Sequence, residues 1–101
     1  MDYRRLGATG LRVSPLCLGT MGFGDPAWRE WVVGSEGAKP VLERALELGV
    51  NFFDMADFYS LGEGERIVGE TLLGLTARER LVLASKVYYP MSEDPNDRGL
   101  S

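Results

Sequence analysis

Three polar side chains, Asp54, Tyr59 and Lys86, are of the types needed to protonate a carbonyl oxygen. A free tyrosine has a pKa of about 10 and is a poor acid at neutral pH. A lysine ammonium beside a phenol lowers the phenol pKa, and an aspartate keeps that lysine charged and in place. Such a group can protonate a carbonyl oxygen while a hydride reaches the carbon. The structural alternative is that Asp54 forms a turn, Tyr59 lines a rim and Lys86 extends into solvent.

The composition argues against several other kinds of chemistry. The 101 residues include no histidine, which removes Ser-His and Cys-His catalytic pairs and the commonest zinc ligand, so no metal site is expected. A net charge of -4 argues against nucleic-acid binding. Neither a secretory signal nor the roughly 20 apolar residues of a membrane span are found, so no membrane association is expected. Cys17, the only cysteine, lies in an apolar run, and we expect a buried structural thiol rather than a reactive nucleophile. A single cysteine fits a protein of the reducing cytoplasm.

Three apolar runs of strand length alternate with two helical patterns along the chain. One helix is predicted at residues 35–48, ended by Gly49, and the other at residues 65–73, ended by Gly74. Pro40 is compatible with the first helix only in or near its first turn. Alternating apolar strands and amphipathic helices indicate parallel β-α-β units in one α/β domain. The strands are predicted at residues 16–19, 50–53 and 81–85, after a hairpin formed by residues 3–6 and 11–13.

The order of these elements places the polar residues at one edge of the sheet. Asp54 follows the second strand, Tyr59 lies in the next loop, and Lys86 follows the third strand. Adjacent strands lie about 4.8 Å apart, so Asp54 and Lys86 can touch at the C-terminal edge, where parallel α/β folds carry their active sites. Both an open doubly wound sheet and a closed barrel fit this order. The segment GTMGFG at residues 19–24 lacks the Gly-x-Gly-x-x-Gly spacing of a dinucleotide-binding turn, which favours the (β/α)8 TIM-type barrel.

Five ordered blocks of the sequence resemble the aldo-keto reductase family: GTMGFG at 19–24, ALELGVNFFD at 45–54, ADFY at 56–59, GEGERIVG at 62–69 and LASKV at 83–87. The resemblance implies a barrel that reduces an aldehyde or ketone, a small-molecule carbonyl substrate, with NADPH as the usual hydride donor. Tyr59 matches the family's proton donor, and Lys86 and Asp54 match its polarising partners. Cofactor contacts are implied for Asp54, near the nicotinamide ribose, and for the segment Gly19, Thr20 and Met21 after the first strand.

Some positions depart from the family pattern or leave two interpretations open. Met55 stands where the family commonly has threonine, Ser60 where it often has glycine, and Gly64 where serine is usual. These departures bear on the subgroup and the substrate rather than on the three polar side chains. Two aromatic pairs either contact the substrate or simply cover the barrel mouth, and they are Trp28 with Trp31 and Tyr88 with Tyr89.

The length sets the remaining expectation. A full barrel has eight strands and about 250 residues, whereas this chain supplies three barrel strands and two helices. Residues 1–101 are therefore interpreted as the N-terminal part of an aldo-keto reductase barrel domain, without the later segments that bring the family's histidine and bind the adenosine phosphates. Two other functions stay open: a non-catalytic barrel subunit that regulates ion channels, and a degenerate truncated copy.

We expect the isolated 101-residue chain to show no NADPH-dependent carbonyl reduction and to self-associate, because an incomplete barrel leaves the edges of its sheet unpaired. Turnover is followed by NADPH absorbance and the oligomeric state by sedimentation. Measured turnover by the purified chain would contradict this expectation.

Overall fold

The computed structural model describes residues 1–101 and contains two sheets and two α-helices. A parallel sheet of three strands carries both helices, and a separate two-stranded hairpin precedes it. Short 3-10 turns occur at Tyr59–Gly62 and Arg78–Arg80. In chain order the elements are β1 (Arg4–Arg5), β2 (Arg12–Val13), β3 (Leu18–Gly19), α1 (Ser35–Glu47), β4 (Phe52–Asp54), α2 (Glu63–Leu75) and β5 (Val82–Ala84).

The parallel sheet has the order β3-β4-β5, so that β4 lies in the middle. Gly19 pairs with Asp54, and Asp54 pairs with Ala84, which aligns the ends of all three strands. Side chains alternate between the two faces of a strand. Because Phe53 is fully buried among core residues, the neighbouring Asp54 side chain points to the opposite face, away from that core.

The hydrophobic core lies between the sheet and the two helices. Each helix has an apolar stripe with spacings of three or four residues, the period that keeps one helix face against a sheet. Phe53 at the centre of β4 is the largest fully buried side chain. The buried cluster consists of Phe23, Ala38, Leu42, Ala45, Val50, Phe53, Met55, Ile67, Val68, Leu72 and Leu81.

The hairpin is attached to the N-terminal end of the sheet through Asn51. The Asn51 side chain accepts a hydrogen bond of 2.7 Å from the main-chain N–H of Ser14 and donates one of 3.0 Å to the carbonyl of Arg12. The hydroxyl of Tyr3 donates a bond of 2.7 Å to the carbonyl of Gly49. The predicted hairpin is thus found, and these bonds hold it against the end of the sheet opposite Asp54.

Some helix boundaries differ from the sequence prediction. Gly49 does follow α1, with a left-handed φ of 92° and with the N–H of Val50 bonded to the carbonyl of Ala45, as a Schellman motif requires. Gly74, in contrast, lies inside α2, which ends only where Thr76 turns to an extended conformation. Pro40 is the sixth residue of α1, one turn beyond the N-terminus, where it removes one internal hydrogen bond without ending the helix.

The predicted burial of the first parallel strand is wrong in this structure. Cys17 is exposed, and Leu16 keeps 67% of its surface accessible. The physical reason is that β3 is an edge strand with a neighbour on one side only. The sequence pattern indicates a strand with apolar side chains on both faces. Such side chains become buried only where other elements pack against them, and no element of residues 1–101 covers the free edge of β3. Neither helix has the length and apolar character needed to cross a membrane.

Replacement of Gly49 and of Gly74 by alanine tests where the two helices end. Replacing Gly49 by alanine should lower the free energy of unfolding by about 1–2 kcal/mol, because its left-handed backbone disfavours a side chain. A Cβ there would also lie 3.2 Å from Met1 Cβ and from the Tyr3 hydroxyl. The matched control is Gly74→Ala, where an added Cβ meets nothing within 4 Å and should stabilise the helix by about 0.5–1 kcal/mol. Urea unfolding followed by tryptophan fluorescence measures the free energy of unfolding of both variants. If the two substitutions changed this free energy in the same direction, the assignment of Gly49 to the end of α1 and of Gly74 to the interior of α2 would be refuted.

Candidate active site

The ammonium group of Lys86 joins the ends of the two neighbouring strands β4 and β5. Its Nζ lies 3.1 Å from each carboxylate oxygen of Asp54 and donates a hydrogen bond of 2.8 Å to the carbonyl of Met55. Both charged side chains remain about half exposed, at 49% for Lys86 and 46% for Asp54. The pair therefore lies at an open edge of the sheet, where a bound molecule can reach it.

Tyr59 reaches the same point from the turn that follows β4. Main-chain hydrogen bonds hold this turn against the end of β5: the N–H of Met55 donates to Ala84, and the N–H of Asp57 donates to Lys86. The Lys86 Nζ lies 4.9 Å from the centroid of the Tyr59 ring, within the range of a cation–π contact. The structure thus brings Asp54, Tyr59 and Lys86 together around one ammonium group.

The surroundings of Lys86 favour its charged form. Desolvation of the ammonium lowers the pKa of Lys86, but the nearby Tyr59, the hydrogen bonds to Asp54 and the charge of Asp54 outweigh it. The net effect raises the pKa of Lys86 above the ordinary value of 10.5. Lys86 is therefore a cation at neutral pH, as stabilisation of a phenolate requires.

The segment after β3 lies beside this group. Gly19 is the register partner of Asp54. The main-chain N–H and the buried hydroxyl of Thr20 both donate to the Asp54 carbonyl, at 3.1 Å and 2.8 Å. Thr20 therefore ties β3 to the end of β4, and its hydroxyl is occupied by that bond. Met21 is partly exposed and borders the cavity beside Tyr59.

A cavity of about 250 Å³ opens beside Tyr59 and Lys86. Its apolar lining includes Met21, Phe58, Val87 and Tyr89. Phe58 also packs edge-on against Trp28, with ring centroids 5.2 Å apart, and in a tilted arrangement against Tyr89 at the same distance. Trp28 in turn contacts Trp31 at 6.1 Å. Both tryptophans and Tyr89 thus join an aromatic cluster next to the site. Tyr88 makes none of these ring contacts and does not line the cavity.

Cys17 directly precedes β3, two residues before Gly19, the register partner of Asp54. Partial desolvation and the Asp54 carboxylate raise the pKa of the Cys17 thiol, and the lowering effect of Lys86 does not offset them. The thiolate form is disfavoured, so the structure gives no support to a nucleophilic role even though the thiol is exposed.

Three contributions to the site were missed by sequence reasoning. The Met55 carbonyl accepts a hydrogen bond from Lys86. Because every residue has a main-chain carbonyl, the residue type gives no signal of this contact. Phe58 connects the aromatic pairs, and Ser85 donates a hydrogen bond of 2.7 Å to Glu65 at the start of α2. Phe58, Ser85 and Glu65 all lie within the resemblance blocks, and that membership was the one signal available for them.

The sequence model of the aldo/keto reductase family matches residues 15–101. The chain belongs to this family. It is 41% identical to versiconal hemiacetal acetate reductase of Aspergillus parasiticus over 95% of the chain and 28% of that protein. It is 37% identical to a probable voltage-gated potassium channel subunit beta of Oryza sativa over 100% of the chain and 29% of that protein. The chain spans less than a third of the length of each.

A solved structure supports the same assignment. The holo form of an aldo-keto reductase from Bacillus halodurans superposes with a TM-score of 0.75 at 33% identity, over 97% of this chain and 30% of that one. The predicted fold class is thereby confirmed: the hairpin, the three parallel strands and the two helices form a part of the family's (β/α)8 barrel.

The turn after Tyr59 has an unusual backbone. Ser60 and Leu61 both have left-handed φ angles, of 50° and 51°, and Gly62 follows with 99°. A non-glycine residue in such a conformation costs about 1–3 kcal/mol. The Ser60 hydroxyl is also buried without a hydrogen-bond partner, which costs about 1–3 kcal/mol more. The strain is concentrated next to Tyr59.

Asp54→Asn should lower the pKa of Lys86, because it removes the negative charge and weakens the hydrogen bonding that raises that pKa. NMR titration of a protein with labelled lysine measures the change, with Lys39, the other lysine of the chain, as the internal reference. The contacts of charged Lys86 also make the stability of the folded protein depend on pH. Because the pKa of Lys86 is raised on folding, this stabilisation is complete below pH 10.5, the ordinary pKa of lysine. It is lost as the pH rises through the higher pKa that Lys86 has in the folded protein. An unchanged Lys86 titration in the variant would show that the two groups do not interact in solution.

Proposed function

We propose that the natural protein carrying this chain is an NADPH-dependent oxidoreductase that reduces an aldehyde or ketone to an alcohol. The observation that carries the proposal is the single ammonium of Lys86 in contact with the Asp54 carboxylate and the Tyr59 ring. Family membership gives this geometry its chemical meaning. The proposal extends to the whole protein, of which residues 1–101 supply three of the reacting side chains.

Tyr59 is proposed to donate a proton to the carbonyl oxygen of the substrate. The phenolate that remains is stabilised by the positive charge of Lys86. Asp54 holds Lys86 by two contacts of 3.1 Å and compensates its charge. The apolar cavity beside Tyr59 is proposed to accommodate the carbon skeleton of the substrate.

The residues around Asp54 fit a nicotinamide cofactor. A Cβ added at Gly19, the register partner of Asp54, would meet nothing within 4 Å, so the surface beside Asp54 is open to a flat ring. The half-exposed Asp54 carboxylate can accept a hydrogen bond from a ribose hydroxyl. When bound, the cofactor supplies the hydride that adds to the carbonyl carbon. Gly19, Met21 and Asp54 are the residues of this chain proposed to contact it. Thr20, which the sequence analysis placed with them, is 1% accessible and is proposed instead to hold their strand ends together.

The proposed substrate is a small carbonyl compound, and the proposed compartment is the cytoplasm. A single exposed thiol, Cys17, suits a reducing compartment because it cannot form a disulfide within this chain. The second candidate function is a regulatory role, which is supported by the name of the rice relative, a probable voltage-gated potassium channel subunit beta. Carbonyl turnover by the natural protein separates the two, since a purely regulatory subunit needs none.

Tyr59→Phe should lower carbonyl reduction by about 10²–10⁴-fold, because phenylalanine cannot donate the proton. NADPH binding, followed by fluorescence quenching, should be nearly unchanged, since the proposed cofactor contacts are made by other residues. The matched control is Tyr88→Phe, which removes a hydroxyl from an exposed ring that does not line the cavity. Undiminished reduction in the Tyr59 variant would remove this residue from the mechanism.

A further inference from the structure

The end of β5 is tied to helix α2 by one side-chain hydrogen bond. The hydroxyl of Ser85 donates to a carboxylate oxygen of Glu65 at 2.7 Å, across 20 residues of sequence. Glu65 is the third residue of α2, and Ser85 lies between the last residue of β5 and Lys86. The bond therefore joins the first turn of the helix to the residue that directly precedes the ammonium group of the site.

Consecutive side chains at this strand end go to opposite sides of the sheet. Ser85 reaches α2, the helix that packs on the Phe53 side, and Lys86 reaches Asp54, which points away from that core. Because neighbouring residues of an extended chain alternate in direction, a bond that holds Ser85 toward the helix directs Lys86 toward Asp54. The main chain of the same segment is held by the turn after β4, since the N–H of Asp57 donates to the Lys86 carbonyl at 3.1 Å.

Glu65 is used differently from two other acidic residues of α2. Glu63 and Glu70 both pair with Arg66 on the helix surface, at 2.7 Å and 3.0 Å. The Glu65 carboxylate makes no ion pair and instead accepts the Ser85 hydroxyl. A hydroxyl that donates to a carboxylate makes a shorter and stronger bond than one that donates to a neutral group. Glu65 therefore connects α2 to the sheet rather than to its own helix.

We propose that Glu65 and Ser85 are a pair of positioning residues that set the direction of Lys86 toward Asp54 and Tyr59. The inference rests on the proposed reductase function. Neither member of the pair lines the cavity beside Tyr59, so the pair acts on the reaction through the position of Lys86. Ser85 is exposed and Glu65 is partly exposed. Because water can replace the bond, it contributes little to folding, and its effect is on the direction of one side chain.

The test uses the natural protein at its full length. Ser85→Ala and Glu65→Gln should each lower kcat by about tenfold. This is less than the roughly hundredfold cost of a misplacement of about 1 Å, because Asp54 and Met55 still hold the ammonium. The KM for the carbonyl substrate and the free energy of unfolding should change little. The double variant should lose no more kcat than the more impaired single variant, because both changes remove the same bond.

Two control variants separate this bond from other effects. Ser85→Thr keeps a hydroxyl at the same position and should retain nearly all of kcat. Glu70→Gln makes the matched change on a carboxylate of α2 that binds Arg66, and it should leave kcat unchanged. A loss in Ser85→Thr equal to that in Ser85→Ala would show that the hydroxyl is not responsible. A comparable loss in Glu70→Gln would show that any charge on the helix matters equally, and either result overturns the inference.

A second measurement follows Lys86 itself and does not depend on turnover. With ¹³C-labelled lysine, the Cε resonance of Lys86, assigned by its loss in Lys86→Arg, should move in Ser85→Ala and Glu65→Gln and stay in place in both controls. If the unaltered protein reduces no carbonyl compound, the proposed function fails and this resonance alone decides the inference. If Glu65→Gln does not fold, the two Ser85 variants decide it. An unmoved Lys86 resonance in Ser85→Ala, or undiminished kcat of that variant in an active protein, overturns the inference.

Discussion

The ammonium of Lys86 joins groups that are far apart in the sequence. It contacts the carboxylate of Asp54 and the carbonyl of Met55, 32 and 31 residues earlier in the chain, and it lies over the ring of Tyr59. The contact depends on parallel pairing in one register, which places Asp54 beside Ala84 at the ends of adjacent strands. A shift of one residue would turn the Asp54 side chain toward the hydrophobic core. The core that aligns the strands is therefore also what assembles the site.

This ion pair contributes to chemistry more than to stability. With both side chains about half exposed, an ion pair of this kind contributes about 0–1 kcal/mol to folding. Stability comes from the packing of the helices around Phe53 and from the bonds of Asn51 that hold the hairpin. The exposed pair and the strained turn after Tyr59 are both placed on this packed framework. A rigid core of this kind can support a site that is itself locally unfavourable.

The turn after β4 has two neighbours that restrict it from opposite sides. Main-chain hydrogen bonds from Met55 and Asp57 attach its first half to β5, and its second half lies against α2 at Gly64. Three consecutive left-handed residues, starting at Ser60, reverse the chain between them. The position of the Tyr59 phenol is thus the result of contacts made by other residues. A substitution that never touches a substrate can change it.

The sequence by itself determined the type and order of the elements, because apolar spacing and Gly49 as a helix stop are local signals. It also determined that Asp54 and Lys86 meet, since parallel strands bring their C-terminal ends to one edge. It could not decide that α2 passes Gly74, that Cys17 is exposed or that Met55 contributes its carbonyl. Each of these depends on what packs or bonds at that point in space. The tertiary structure alone decided how the left-handed turn at Ser60 is packed, because the segment that meets it at Phe23 and Gly24 lies more than 30 residues earlier in the chain.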